Sequence, residues 1–281
     1  MNPLPPSPSS QLSTSGPGAS HAARALFPRG LIQPDQGFHF SRDALLLIDF
    51  AAGLDLPAGA FALDLGAGCG VIGLGLLLRR PDLARVVGVE RDPAQVEAAQ
   101  GNGRRLGLDD RYTIIAGDLA HNATLCAARA SLPAAPAPPE RGALFHLALC
   151  NPPWRREGTG RVPPSPARRA ALFGDENTFP LFLGAADRLL AFHGALALVC
   201  GAERLTHILA ALPSRLRPVR LRFVHTGAGK PAVFFLLEVR KGSRAALRVE
   251  APLLLDERRI PPARPLSPSL TPGETAAGHP D

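Results

Sequence analysis

Four consecutive residues, Asn151, Pro152, Pro153 and Trp154, follow directly on the apolar run Leu147, Ala148, Leu149 and Cys150. A strand that ends in a side-chain amide, two prolines and an indole offers hydrogen-bond acceptors and an aromatic plane at one point, which suits a flat group carrying an NH2. An amine on an sp2 carbon is a poor nucleophile because its lone pair is delocalised. If the Asn151 side-chain oxygen and the main-chain carbonyl of Pro152 each accept one N–H, that lone pair can be aimed in line at an electrophile. Trp154 would stack on the acceptor plane. The prolines fix φ and bring no competing N–H, so the carbonyl direction is held without further side chains. Such a reaction needs no metal, covalent intermediate or strong general base.

Upstream, Leu63-Asp64-Leu65-Gly66-Ala67-Gly68-Cys69-Gly70 sets three glycines at alternate positions after an apolar strand. The backbone can turn sharply there and come close to a ligand. The dinucleotide pattern would need its next glycine at position 71, which is Val71, so a pyrophosphate cradle is not expected. Glu90, about twenty residues past the turn at the end of the next strand, can accept hydrogen bonds from both hydroxyls of a ribose and would repel a phosphate. Asp118, after the third strand, can take the amine of an adenine or equally cap the turn beginning at Leu119. A nucleoside cofactor without phosphate suits all three features.

The elements that must position these residues follow from the apolar pattern. Strands are expected at 61–65, 86–90, 112–116, 146–150, 195–200, 219–224 and 232–239, with helices between most of them. The helix at 93–106 has Asp92 as its N-cap, Pro93 in its first position and Gly107 as its stop. Residues 225–231 are too few for a helical crossover, so the last two strands should run antiparallel. The expected fold is α/β: a Rossmann-like, seven-stranded, mainly parallel sheet with the last strand antiparallel and helices on both faces. Residues 132–142, crowded with Pro and Ala, read as a surface insertion. A disordered lead-in is expected over 1–28 and a disordered tail over 259–281, leaving one domain at 29–258.

With 281 residues, 46% of them hydrophobic, the chain can bury a large core. Its 31 basic and 24 acidic residues give a net charge of +7, and all but two of the basic residues are arginine, which favours a polyanionic partner. Arg155, Arg156, Arg161, Arg168 and Arg169, with Arg215, Arg217, Arg220 and Arg222, are candidates for holding nucleic-acid phosphates, although a solvated basic surface reads the same way. Cys69, Cys126, Cys150 and Cys200 lack paired metal-ligand spacing and read as reduced thiols of a cytoplasmic protein without a metal. Residues 1–20 have no charged side chain and so no signal-peptide n-region, and no apolar run is long enough to cross a bilayer.

The order Asp-x-Gly-x-Gly-x-Gly, then Glu90, Asp118 and Asn-Pro-Pro-Trp, resembles the class I S-adenosylmethionine-dependent methyltransferases, in particular those acting on exocyclic amines of adenine or on side-chain amides. Residues 33–47, with Phe40 and Asp43, and residues 251–255 resemble the bacterial tRNA1(Val) adenine-37 N6-methyltransferase family. That resemblance implies S-adenosyl-L-methionine as cofactor, bound by Asp64, Gly66, Gly68, Gly70, Glu90 and Asp118, with Phe40 and Asp43 near its methionine half. Read from the residues alone, Phe40 could equally be core and Asp43 a helix-start charge. The resemblance also implies Asn151, Pro152 and Trp154 as catalytic residues acting on the N6 amine of an adenine in RNA, with tRNA foremost. Arg155, Arg156, Arg168 and Arg169 would then bind the RNA. Trp154 stands where Tyr or Phe is commonest in the group. Protein glutamine N5-methyltransferases share Asn-Pro-Pro, but they usually carry a helical recognition domain ahead of the catalytic one, and here only residues 1–60 precede the first strand. A non-catalytic RNA-binding module on the same fold would have no need of Asp64, Gly66, Gly68, Glu90 and Asn151 together.

Overall fold

The computed structural model describes residues 17–35, 39–133, 144–155 and 173–255. Seven strands form the body of one sheet: β1 (Phe61–Leu65), β2 (Arg85–Glu90), β3 (Tyr112–Ala116), β4 (Phe145–Cys150), β5 (Leu190–Gly201), β6 (Leu216–His225) and β7 (Ala232–Lys241). Their spatial order is β3-β2-β1-β4-β5-β7-β6. The pairs from β3 to β5 are parallel, and β7 runs antiparallel to both β5 and β6, as the short 225–231 connection requires. Two two-residue strands, β8 (Arg248–Val249) and β9 (Leu253–Leu254), add parallel pairing along β6.

The strands are apolar along almost their whole length because both faces are covered. Ala62, Val86, Leu147, Leu149, Ala197 and Leu236 point into one core, with α2 (Arg42–Ala52), α3 (Val71–Arg79) and α4 (Pro93–Arg105). Their neighbours Leu63, Val87, Ala148, Leu196 and Leu237 point into the other, with α5 (Asn122–Ala130), α6 (Thr178–Leu189) and α7 (Leu205–Ala211). Period-two alternation therefore separates two apolar cores. Asp92 caps α4 as its sequence position implies, accepting the Ala94 N–H at 2.9 Å.

β5 starts at Leu190, earlier than the expected 195, because α6 runs straight into it, and a register shift between Phe145 and Leu147 of β4 absorbs the irregularity. A larger difference lies at the N-terminus: a segment without structure was expected over 1–28, of which residues 1–16 lie outside the described residues, and α1 (Pro17–Leu26) stands in the part that is described. Its Arg24 donates to the carbonyls of Leu106 and Gly107, both at 2.6 Å, and so satisfies acceptors that the end of α4 leaves open. Further on, the fully buried Asn102 side chain accepts the Ile32 N–H at 2.7 Å and donates to Ile32 O and to Cys69 O, each at 2.9 Å. That one amide ties the N-terminal strap to the glycine turn. The expected insertion, from residue 134 on, and the tail at 259–281 lie outside the described residues.

Candidate active site

The strand order turns back on itself at β1, which lies between β2 and β4, and open α/β sheets bind ligands at such a point beyond the strands' carboxyl ends. A cavity of about 530 Å³ opens there, walled by Gly66, Gly68, Glu90, Asp118, Phe40 and Asn151 among others. Small-molecule and cofactor sites span roughly 300–1,000 Å³.

At one end the wall is main chain. The N–H groups of Gly66 and Ala67 both donate to Val89 O, at 2.9 and 3.0 Å, which folds the turn back over β2. Gly66 has φ +70°, and a Cβ there would come within 3.0 Å of the Phe182 ring. Gly70, at φ +84° ahead of α3, would put a Cβ 2.8 Å from the hydroxyl of Tyr112, whose ring is buried beneath the turn. Only glycine accepts both the conformation and the close approach at these two positions.

Glu90 holds this turn from below. Its Oε2 accepts the Gly68 N–H at 2.9 Å, and its Oε1 accepts those of Arg91 and Asp92 at 2.8 and 2.9 Å. A carboxylate has about four acceptor directions, so three bonds leave one for a ligand where two ribose contacts had been expected. Asp118 caps the turn that follows, its Oδ1 accepting the Ala120 N–H at 2.9 Å, and it also lines the cavity. Asp64 is fully buried behind the turn, outside the cavity wall, where its Oδ2 takes the Gly73 N–H at 2.9 Å and its Oδ1 has no hydrogen-bond partner among the described residues. Burial pushes its carboxyl up to about 7, opposed by the Gly73 N–H and reinforced by the charge of Glu90.

At the other end Asn151 and Pro153 line the cavity, while Pro152 is buried. Phe40 lines it as well. Asp43 does not: it is 4% exposed, and its Oδ2 accepts a hydrogen bond from Asn151 Nδ2 at 3.2 Å. Trp154 also stands outside the wall. Its indole meets the edge of Phe234 with ring centroids 6.0 Å apart, and it lies over Gly201, where a Cβ would be 2.7 Å from the ring. The bare glycine on β5 gives the indole its floor, and this draws the ring toward the sheet. Besides Phe40, aromatic surface inside the cavity comes from Phe173 and Phe182, which no spacing in the sequence singles out.

Of the arginines, Arg155 is exposed, with its guanidinium 5.6 Å from the centre of the Trp154 ring. Arg156, Arg161, Arg168 and Arg169 lie outside the described residues. The second set does not present four free cations. Arg215 pairs with Asp187 at 2.6 Å, and Arg220 pairs with Glu238 at 3.0 Å with its guanidinium over the Phe50 ring. Arg222 donates to Ala251 O, and Arg217 is exposed. Cys69, Cys150 and Cys200 are buried thiols, Cys126 is exposed, and all four are free. Among the described residues no helix is long and apolar enough to cross a membrane.

Comparison with known proteins gives three findings. Residues 44–127 match the family model of the methyltransferase small domain. A curated tRNA1(Val) (adenine(37)-N6)-methyltransferase of Porphyromonas gingivalis is 33% identical over 206 residues, which cover 71% of this chain and 74% of the relative. A protein of the same description from Actinobacillus succinogenes is 30% identical over 59% of this chain and 66% of its own length. Among solved structures, a predicted O-methyltransferase from Agrobacterium tumefaciens aligns over 75% of this chain and 86% of that one, with a TM-score of 0.56 at 24% identity, a likeness of fold.

Proposed function

Because the chain belongs to the tRNA1(Val) (adenine(37)-N6)-methyltransferase family, and is therefore an S-adenosylmethionine-dependent methyltransferase, we propose that its acceptor is the exocyclic N6 amine of an adenine in RNA, specifically in tRNA. The observation that carries this reading is that Asn151 and Pro153 wall the same cavity as Gly66, Gly68 and Glu90. On this reading the motif that holds the amine and the turn that holds the nucleoside face one shared space.

The residues present fit the cofactor. The turn at Gly66 and Gly68 brings main chain to the cavity wall without side chains, the remaining acceptor direction of Glu90 suits a ribose hydroxyl, and Asp118 suits the adenine amine. Bound there, S-adenosylmethionine supplies an electrophilic methyl carbon. The chain's own work is orientation. Asn151 Oδ1 and the carbonyl of Pro152 each accept an N–H of the acceptor, which localises the nitrogen lone pair and fixes its direction. An adenine must leave its stack to reach such a pocket. The exposed Arg155, with Arg156, Arg168 and Arg169 in the segment that follows, supplies charge for the flanking phosphates.

Mass spectrometry of nucleosides from total tRNA and rRNA, with the gene present and absent, tests the substrate. Loss of N6-methyladenosine from tRNA alone is the expected result. An unchanged RNA profile with altered glutamine methylation would transfer the assignment to a protein glutamine N5-methyltransferase.

A further inference from the structure

Asp43 is the second residue of α2, and it stays out of the cavity wall although Phe40 and Ala44 beside it are part of that wall. Three protein donors bond its carboxylate. Oδ1 accepts from the Ser41 hydroxyl and from the Ala44 N–H at 3.0 Å, and Oδ2 accepts from Asn151 Nδ2 at 3.2 Å, a contact between residues 108 positions apart. At 4% exposure little solvent competes for these bonds.

A side-chain amide has two nearly isosteric orientations, one showing its oxygen and the other its NH2. Only the first can receive an amine, since the second sets donor against donor. A carboxylate accepts and does not donate, so Asp43 can bond Asn151 only through Nδ2. Asp43 therefore removes the unproductive orientation. From this we infer that Asp43 is a positioning residue that locks the Asn151 amide with Oδ1 presented to the acceptor amine, a role that rests on the acceptor chemistry proposed above. The charge on Asp43 also polarises the amide through a charge-assisted bond, which strengthens Oδ1 as an acceptor. The resemblance implied a place near the methionine half of the cofactor; the bond to Asn151 adds a second task.

Two readouts separate this role from cofactor contact and from simple structural support. With tRNA from cells lacking the gene, Asp43→Asn, whose own amide can face Asn151 either way, should lower kcat about tenfold or more while the S-adenosylmethionine Kd stays within about twofold. Adding Asn151→Asp to Asp43→Asn restores an acceptor-only group at the cavity with a donor behind it. That double variant should regain about tenfold over Asn151→Asp alone, in which two carboxylates face each other. Intact kcat with weakened cofactor binding in Asp43→Asn, or no gain in the double variant, overturns the inference. If the unaltered enzyme does not methylate tRNA at all, the substrate reading has failed and the amide itself decides. The Asn151 side-chain NH2 signals in a proton–nitrogen NMR spectrum, identified by their loss in Asn151→Ala, should exchange with solvent at least about tenfold faster in Asp43→Ala. Unchanged exchange there refutes the lock independently of any substrate.

Discussion

The two ends of the cavity are built in different ways. The proposed cofactor end is assembled from a short span of chain: the turn at Gly66 to Gly70, the Glu90 carboxylate that takes the Gly68 N–H, and Asp118 one strand later. Its groups are largely main chain, and its geometry follows from strand, turn and helix in succession. The proposed acceptor end depends on one side chain, Asn151, whose Nδ2 is bonded by Asp43 from a helix 108 residues earlier. A site made of backbone tolerates change around it, whereas a site made of one oriented amide depends on a single distant contact.

The largest effect should come from removing that amide. Asn151→Ala is expected to lower kcat by about 10³-fold or more, comparable with deleting a preorganised hydrogen-bonding group from other active sites, while S-adenosylmethionine binds as before in calorimetry. A matching loss of cofactor affinity would erase the distinction between the two ends.

Next in size is a pH effect at the cofactor end. The Asp64 carboxyl is raised by burial from its ordinary value to about 7. Between those values the folded protein holds a proton that the unfolded chain has released, so stability falls as pH rises through this window and then levels off. Asp64→Asn keeps an acceptor for the Gly73 N–H and removes the titration. Relative to it, the unaltered protein should lose up to about 4 kcal/mol between about pH 4 and pH 7 in urea unfolding. Parallel stability curves for the two proteins would contradict the buried, proton-binding carboxyl.

Glu90→Ala should be milder. It frees the Gly68 N–H and removes a ribose acceptor, so the S-adenosylmethionine Kd should rise about 30-fold, or about 2 kcal/mol. With cofactor saturating, kcat should stay within about threefold. A fall in kcat with unchanged Kd would mean that the turn serves the acceptor instead.

The same contrast decides what the sequence made legible. Strand periodicity, the Asp92 cap and the short connection before β7 gave the sheet and its reversed strand, because each is a local rule acting on neighbouring residues. The glycine turn and Glu90 were legible for the same reason. Asp43 was recognisable as a polar residue at a helix start, but nothing in its surroundings says which residue it faces. The Asn102 bonds to Ile32 and Cys69, and the Phe182 ring over Gly66, likewise exist only once distant elements pack. α1 was missed because the Pro, Ser and Gly around it outweigh a helix whose anchor, Arg24, reaches carbonyls 82 and 83 residues away.

Trp154 gives the smallest expected effect and the finest test of where the acceptor end stops. The sequence puts an aromatic plane beside Asn151, whereas the indole packs between Gly201 and Phe234 with Arg155 above it, outside the cavity wall. An indole in that place packs against the sheet, on Gly201 and Phe234. Trp154→Phe retains an aromatic edge for Phe234 but leaves space over Gly201, so it should cost about 1 kcal/mol of stability and change kcat less than about threefold. If kcat instead falls about 100-fold while unfolding is unaltered, the indole swings onto the acceptor when the base arrives. In that case the acceptor end is completed by its substrate, while the cofactor end is built in advance.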